Sequence, residues 1–331
     1  MPVMKFLSLF ILIAAMETVL ICAADSTNTA STSAPSTNAA PTNLKSPLES
    51  FIPGTTTSPE GCMIETFYVH SPSMDRDIRA CVVLPPEYAA HPEKSYPILY
   101  TLHGSDAPFD AFARMIPLRK ALKDKPMLVA CFDGDGTSNY IDSPLLVKTR
   151  RPYGPQEPVK SLFNTFFFKE FIPTIDQRYR VDTKKRMLTG FSMGSLGAFQ
   201  YMLNAPHEFI AVSSMSGWFP VLSQGPTKED QPWFEPLLGP YAQNRRAYQD
   251  FDIHTIISKQ IAAATKLPPI YMTAGTEDPY IAEDREMRDF LRKLGVSVDY
   301  HEDKGHHDWI FWRDHSALLI DFHWKVLQQQ G

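Results

Sequence analysis

No long run of lysines or arginines stands out in the 331-residue sequence, and the formal net charge is a mild −5. That pattern argues against a nucleic-acid surface, which needs a clustered basic footprint. Cysteine is sparse. It occurs at Cys22, Cys62, Cys81 and Cys131, and loss of the N-terminal segment would leave three, enough for one bridge and a leftover thiol. Cys81 (RACVVLPP) and Cys131 (MLVACFDG) lie in strand-like apolar runs, so they read as buried small hydrophobes rather than a disulfide framework. Internal repeats are missing too. H-x-x-x-H and H-E-x-x-H spacings do not occur around the histidine-rich GHHDWIFWRDH, Gly305 to His315, which argues against a zinc site. DGDGTSNYID, Asp133 to Asp142, lacks the third acidic ligand and the closing glutamate of a calcium loop. No metal or cofactor is expected.

What is present begins with Lys5 and the apolar run FLSLFILIAA, reaching VLICAA at Ala24. A basic start, a short apolar core and small residues at the end describe a secretory signal over 1–24. Glu17 interrupts the run, which weakens a membrane-anchor reading, and Ile21 before Cys22 disfavours lipoprotein processing. The expected location is secreted or periplasmic, with N-terminal anchoring the minor reading. Residues 25–57 are rich in Ser, Thr, Ala, Asn and Pro, too poor in apolar surface to offset ordering entropy, and read as a disordered tether. The remaining 58–331 reads as one catalytic domain. Overall, 44% hydrophobic and 12% aromatic residues suffice for a large core.

MIETFYVHS and DIRACVVLPP predict an antiparallel opening pair. Short apolar runs then alternate with helical stretches: YPILYTLHG, PMLVACFDG, KRMLTGFS, AVSSMSG, PPIYMTAG and VSVDYHE. Near-continuous apolar strands suit a mostly parallel sheet covered by helices on both faces, an α/β domain. Ligands bind such sheets beyond the strands' C-terminal ends. Helices are expected in SLFNTFFFKEFIPTIDQRY, SLGAFQYMLNA and AEDREMRDFLRKLG, the last closing at Gly295. Trp218 to Leu267 is less regular before turning helical around FDIHTIISKQIAAATK. It reads as a cap over a site or as a surface excursion.

Gly190-Phe191-Ser192-Met193-Gly194 is a G-x-S-x-G between an apolar strand and a helix-compatible stretch. A sharp strand-to-helix turn needs small flanking residues and would expose the Ser192 hydroxyl, with the Met193 N–H facing a developing oxyanion. A serine nucleophile requires a base and an orienting acid, which in such a fold follow in the order Ser, Asp/Glu, His. GTEDPY supplies Asp278, with Glu277 as competitor; Asp278 is preferred because it ends the turn and is the shorter acid. The following strand runs into the loop carrying His306 and His307, whereas His301 lies within the strand as a pairing or surface residue. The turn after YPILYTL offers the Ser105 N–H as second oxyanion donor, with Gly104 allowing close approach and His103 read as structural rather than as a base.

LPPEY, LHGS, EFIPTIDQRYRV, GFSMGSLGAF, PHEFIAVSSMSG, GTED and GHHDWIFWRDH occur in an order that resembles the esterase family of α/β-hydrolases. That family includes esterase D and S-formylglutathione hydrolases, feruloyl esterases, enterochelin esterases and mycolyltransferases. The resemblance spans roughly Cys62 to Leu327. It implies the α/β-hydrolase fold, Ser192 as nucleophile, Asp278 as orienting acid, His307 as base, and Ser105 and Met193 as oxyanion donors. The family's Gly-Gly-His-Asp-Trp carries His306 here in place of the second glycine, making the loop bulkier. Ser105-Asp106 stands where many members have glycines, which predicts a narrower or more polar acyl pocket. The expected function is an exported serine carboxylic-ester hydrolase working through an acyl-enzyme on a small or carbohydrate-linked ester. The alternatives are an acyltransferase with a sugar acceptor and a non-catalytic binding module. Trp309, Phe311 and Trp312 are expected to pack the last helix on the sheet, with Trp309 bordering the pocket as the alternative.

Overall fold

The computed structural model describes residues 51–105, 107–148 and 157–330. Their main sheet has nine strands in the order β1-β2-β3-β5-β4-β8-β9-β10-β11. These are β1 (Gly54–Thr57), β2 (Met63–Ser71), β3 (Arg76–Leu84), β4 (Tyr96–Leu102), β5 (Leu128–Phe132), β8 (Val181–Ser192), β9 (Ala211–Gly217), β10 (Ile270–Gly275) and β11 (Val298–Asp303). From β1 to β5 the pairing is antiparallel, and from β5 through β4 to β11 it is parallel. β4, β9 and β10 are buried almost throughout, as their unbroken apolar sequences require when helices cover both faces. β2, nearer the edge, alternates buried and exposed over its second half.

α1 (Ile116–Ala121) and α9 (Trp309–Gln328) cover one face, packing Leu118, Leu122, Leu319 and Ile320 over Val129, Met187 and Tyr271. The other face carries α2 (Phe163–Thr165), a π-turn at Phe166–Phe171, α3 (Ile172–Arg178), α4 (Met193–Asn204), α7 (Ile253–Ala262) and α8 (Ile281–Lys293). Phe132, Phe163, Phe166, Phe167 and Phe171 form an edge-on and stacked aromatic cluster there. Each such ring taken out of water contributes about 1.5–3 kcal/mol. This is the α/β-hydrolase architecture.

Three features differ from the sequence expectation. β1 pairs with β2, so the sheet starts within the range read as tether; residues 1–50, including the signal segment and Cys22, lie outside the described residues. A separate antiparallel pair, β6 (Asp142–Val147) and β7 (Val159–Leu162), follows β5. The irregular Trp218–Leu267 region holds α5 (Gln231–Leu238) and α6 (Tyr241–Phe251) ahead of α7. Pro236 inside α5 and the non-helical Asn244 inside α6 explain why no helical period was visible. Gly295, at φ 77°, ends α8 as anticipated. Cys62, Cys81 and Cys131 are buried free thiols, the last two facing each other across β3 and β5.

Candidate active site

β8 ends at Ser192, whose backbone sits at φ 54°, ψ −125° before α4 begins at Met193. A side chain at that φ is strained, and the strain persists because the neighbours leave no other path. A Cβ on Gly190 would strike the Gly194 carbonyl, and one on Gly194 would strike the Leu102 carbonyl at the end of β4. The two glycines of the motif are thus required by close backbone approach, as the sharp turn demands.

Three loops at the C-terminal edge of the sheet bring distant residues together. Ser192 Oγ lies 2.9 Å from His307 Nε2, and His307 Nδ1 lies 2.8 Å from Asp278 Oδ2. The Tyr280 N–H donates to Asp278 Oδ1 at 2.8 Å. The acid and histidine loops are joined by backbone bonds from Thr276 N to Asp303 O and from Glu277 N to Gly305 O, both 2.8 Å. Burial raises the Asp278 carboxyl, but the His307 hydrogen bond and charge and the Tyr280 N–H outweigh it, holding Asp278 below its ordinary value. Tyr280 and Trp312 flank the imidazole edge-to-face at ring distances of 4.9 and 5.1 Å.

The other candidates separate cleanly. His306 Nε2 pairs with Glu277 Oε2 at 3.0 Å on an exposed rim, so both competitors turn away from Ser192 together. His301 pairs with Asp299 on the surface. His315 donates from Nδ1 to the Phe311 carbonyl and meets Asp303 through Nε2. Among the described residues, no three His, Cys, Asp or Glu side chains converge as a metal-ligand set. On the oxyanion side, a Cβ on Gly104 would sit 3.1 Å from Ser192 Cβ, and the Ser105 hydroxyl reaches the Met193 sulfur at 3.6 Å. The turn expected to supply the second donor therefore lies directly against the serine.

Sequence reasoning missed two groups. Trp312 not only packs α9; it stacks on Phe191 at 4.4 Å and borders His307. Glu283 and Asp284, on the first turn of α8, accept the N–H groups of Phe219 and Gly217 at 2.9 and 3.1 Å. They root the 218–267 insertion beside the candidate acid. Burial pushes Glu283 up to about 7, with the nearby Asp230, Glu286 and Asp278 charges adding to it. Burial likewise raises Asp284 well above its ordinary value. Acidic residues opening a helix ordinarily signal solvent and the helix dipole, so nothing local marked Asp284 as buried or Glu283 as half-buried.

Comparison with known proteins gives the family and the fold. The family model described as "Putative esterase" matches residues 71–321. An acetyl esterase of Caldicellulosiruptor saccharolyticus is 27% identical over 184 residues, covering 53% of this chain and 68% of that protein. An esterase of Mycobacterium tuberculosis is 25% identical over 268 residues, covering 72% of this chain and 54% of its own length. Among solved structures, an S-formylglutathione hydrolase from Agrobacterium tumefaciens superposes with TM-score 0.69 at 17% identity, covering 83% of this chain and 98% of that one. A ferulic acid esterase gives TM-score 0.64 at 22% identity, covering 80% and 98%. The chain belongs to this esterase family of α/β-hydrolases: it is a carboxylic-ester hydrolase.

Proposed function

We propose that the protein is an exported serine esterase using Ser192, His307 and Asp278 as a triad. The observation that carries this is the unbroken line from Ser192 Oγ to His307 Nε2 at 2.9 Å and from His307 Nδ1 to Asp278 Oδ2 at 2.8 Å. His307 Nε2 takes the Ser192 proton as Oγ bonds to the acyl carbon. The N–H groups of Ser105 and Met193 hold the oxyanion of the tetrahedral intermediate. Collapse breaks the ester bond and the alcohol leaves with the proton from His307, giving the acyl-enzyme. Water then donates a proton to His307, attacks the acyl carbon and releases the acid, returning the proton to Ser192. Asp278, 2% exposed, holds the Nδ1–H tautomer and steadies the imidazolium.

Segment 1–24 serves as the export signal and the Ser/Thr/Pro-rich chain after it as a tether ending before β1. Export suits extracellular esters, and the acetyl and ferulic acid esterases among the similar proteins favour a short or aromatic acyl group. The test is Ser192→Ala. Hydrolysis of p-nitrophenyl acetate should fall by several orders of magnitude in kcat, and labelling by a fluorophosphonate should vanish. Wild-type-like turnover by that variant would refute the reading.

A further inference from the structure

We propose that His103 is a positioning residue that aims the oxyanion hole, an inference that rests on Ser192 as nucleophile and the Ser105 N–H as donor. His103 directly follows β4 and is fully buried. Its Nε2 lies 2.9 Å from the backbone nitrogen of Gly134. A backbone N–H is solely a donor, so Nε2 must accept, the ring is neutral, and its one proton is on Nδ1. Nδ1 therefore donates to the Gly104 carbonyl at 2.8 Å. The N–H of Ala107 donates to the same oxygen at 3.3 Å. In a planar trans peptide the carbonyl and the following N–H point to opposite sides. Pinning the Gly104 oxygen to the imidazole therefore turns the Ser105 N–H away from it.

The neighbouring peptide is held as well. Tyr140 Oη donates to the His103 carbonyl at 2.9 Å, and a Cβ on Gly194 would press on that same carbonyl. Both peptides leading into Ser105 thus have their carbonyls engaged from the buried side. The holding groups come from the loop after β5, the strand next to β4 in the sheet. That loop keeps Asp135, Asn139 and Tyr140 at positive φ of 50°, 48° and 58°. Ser138 Oγ binds the Gly134 carbonyl and receives the Tyr140 N–H at 3.0 Å, while Arg76 pairs with Asp135 at 2.7 Å. Left-handed non-glycine residues in close succession are unfavourable unless the surroundings over-determine them. Here they present one N–H and one hydroxyl to a single histidine. His103 has no free ring position from which to act as a second base towards Ser192.

The experiment compares the wild type with His103→Asn, His103→Leu and Tyr140→Phe. Readouts are p-nitrophenyl acetate kinetics and inhibition by a boronic acid that forms a tetrahedral adduct on the serine. Removing one oxyanion donor costs about 10²–10³-fold in kcat, so misaiming it in His103→Leu should cost at least roughly 10-fold. His103→Asn, which keeps a short amide donor, should fall between Leu and wild type. KM should move little, and boronate affinity should fall in step with kcat/KM. Tyr140→Phe removes one hydroxyl and should lower kcat and boronate affinity together by a smaller factor, a test that remains if His103→Leu does not fold. Unchanged kcat in His103→Asn and Tyr140→Phe, or a fall in kcat with boronate affinity untouched, would overturn the proposal. Full activity in Ser192→Ala would instead overturn the reading beneath it.

Discussion

His306 and His307 are adjacent, yet each imidazole finds a different acid. His307 reaches the buried Asp278; His306 reaches the exposed Glu277. An exposed pair of this kind is worth about 0–1 kcal/mol. His306→Gly and Glu277→Gln should therefore leave kcat within a few-fold of wild type. His307→Ala and Asp278→Asn should lose on the order of 10³–10⁴-fold, the scale of triad deletions and of a wrong histidine tautomer. Steady-state kinetics on one aryl ester checks all four, and a His306→Gly loss matching that of His307→Ala would reverse the assignment. The serine and its motif were visible in sequence because the turn's geometry dictates its own glycines. Tyr280 and Trp312 were not, since an edge-to-face contact with an imidazole leaves no periodic trace.

At the scale of elements, α9 is started by Asp308, whose carboxylate accepts the Phe311 N–H at 2.9 Å. That cap sits next to His307, so the helix start and the candidate base share one backbone path. Asp308→Ala should cost about 1 kcal/mol of stability, while Asp308→Asn or Asp308→Ser should restore most of it; urea unfolding monitored by circular dichroism measures this. Asp252 does double duty in the insertion, capping α7 through Thr255 N at 2.9 Å and holding Leu222 N at 2.7 Å. Asp252→Ala would strand two donors, one of them buried, and should cost more than Asp308→Ala, about 2 kcal/mol or above. The long apolar strands and α8 were legible because their burial follows a simple period. α5 and α6 were not, because prolines and a kink interrupt the 3.6-residue pattern and their packing partners, such as Trp218 against Phe234 at 5.4 Å, come from elsewhere in the chain.

For the whole molecule, the buried His323 and the half-buried Glu283 give stability opposite pH slopes. His323 lies under the sheet with Nε2 at 2.9 Å from Ser213 Oγ, and burial lowers it from 6.5 to about 3. Between those values the unfolded chain binds the extra proton, so this contribution is complete above 6.5 and is lost as pH falls towards 3. Glu283, raised from 4.5 to about 7, behaves conversely: its contribution is complete below 4.5 and is lost as pH rises through 7. Between pH 7.5 and pH 5 the His323 contribution should fall by about 2 kcal/mol, at 1.4 kcal/mol per pH unit. Urea unfolding of His323→Gln should show that part of the slope removed, and Glu283→Gln should gain relative stability above pH 7. An unchanged wild-type slope in His323→Gln would contradict the burial argument. Among the described residues, no helix is long and apolar enough to cross a membrane.

The sequence by itself determined the long apolar strands, a mostly parallel sheet after an antiparallel start, the serine elbow and the acid and histidine loops. Each of these is encoded locally, as an apolar period, a glycine forced by close approach, or a turn at a strand's end. The turn favoured Asp278 and the family resemblance favoured His307. Only tertiary structure supplied the hydrogen bonds and burial that set them apart from Glu277 and His306, and it alone decided that Glu283 and Asp284 anchor the insertion. It also decided that His103 spends both ring nitrogens on backbone groups. Those outcomes depend on hydrogen bonds and burial between residues far apart in the chain, where desolvation and direction govern and the local pattern carries no information.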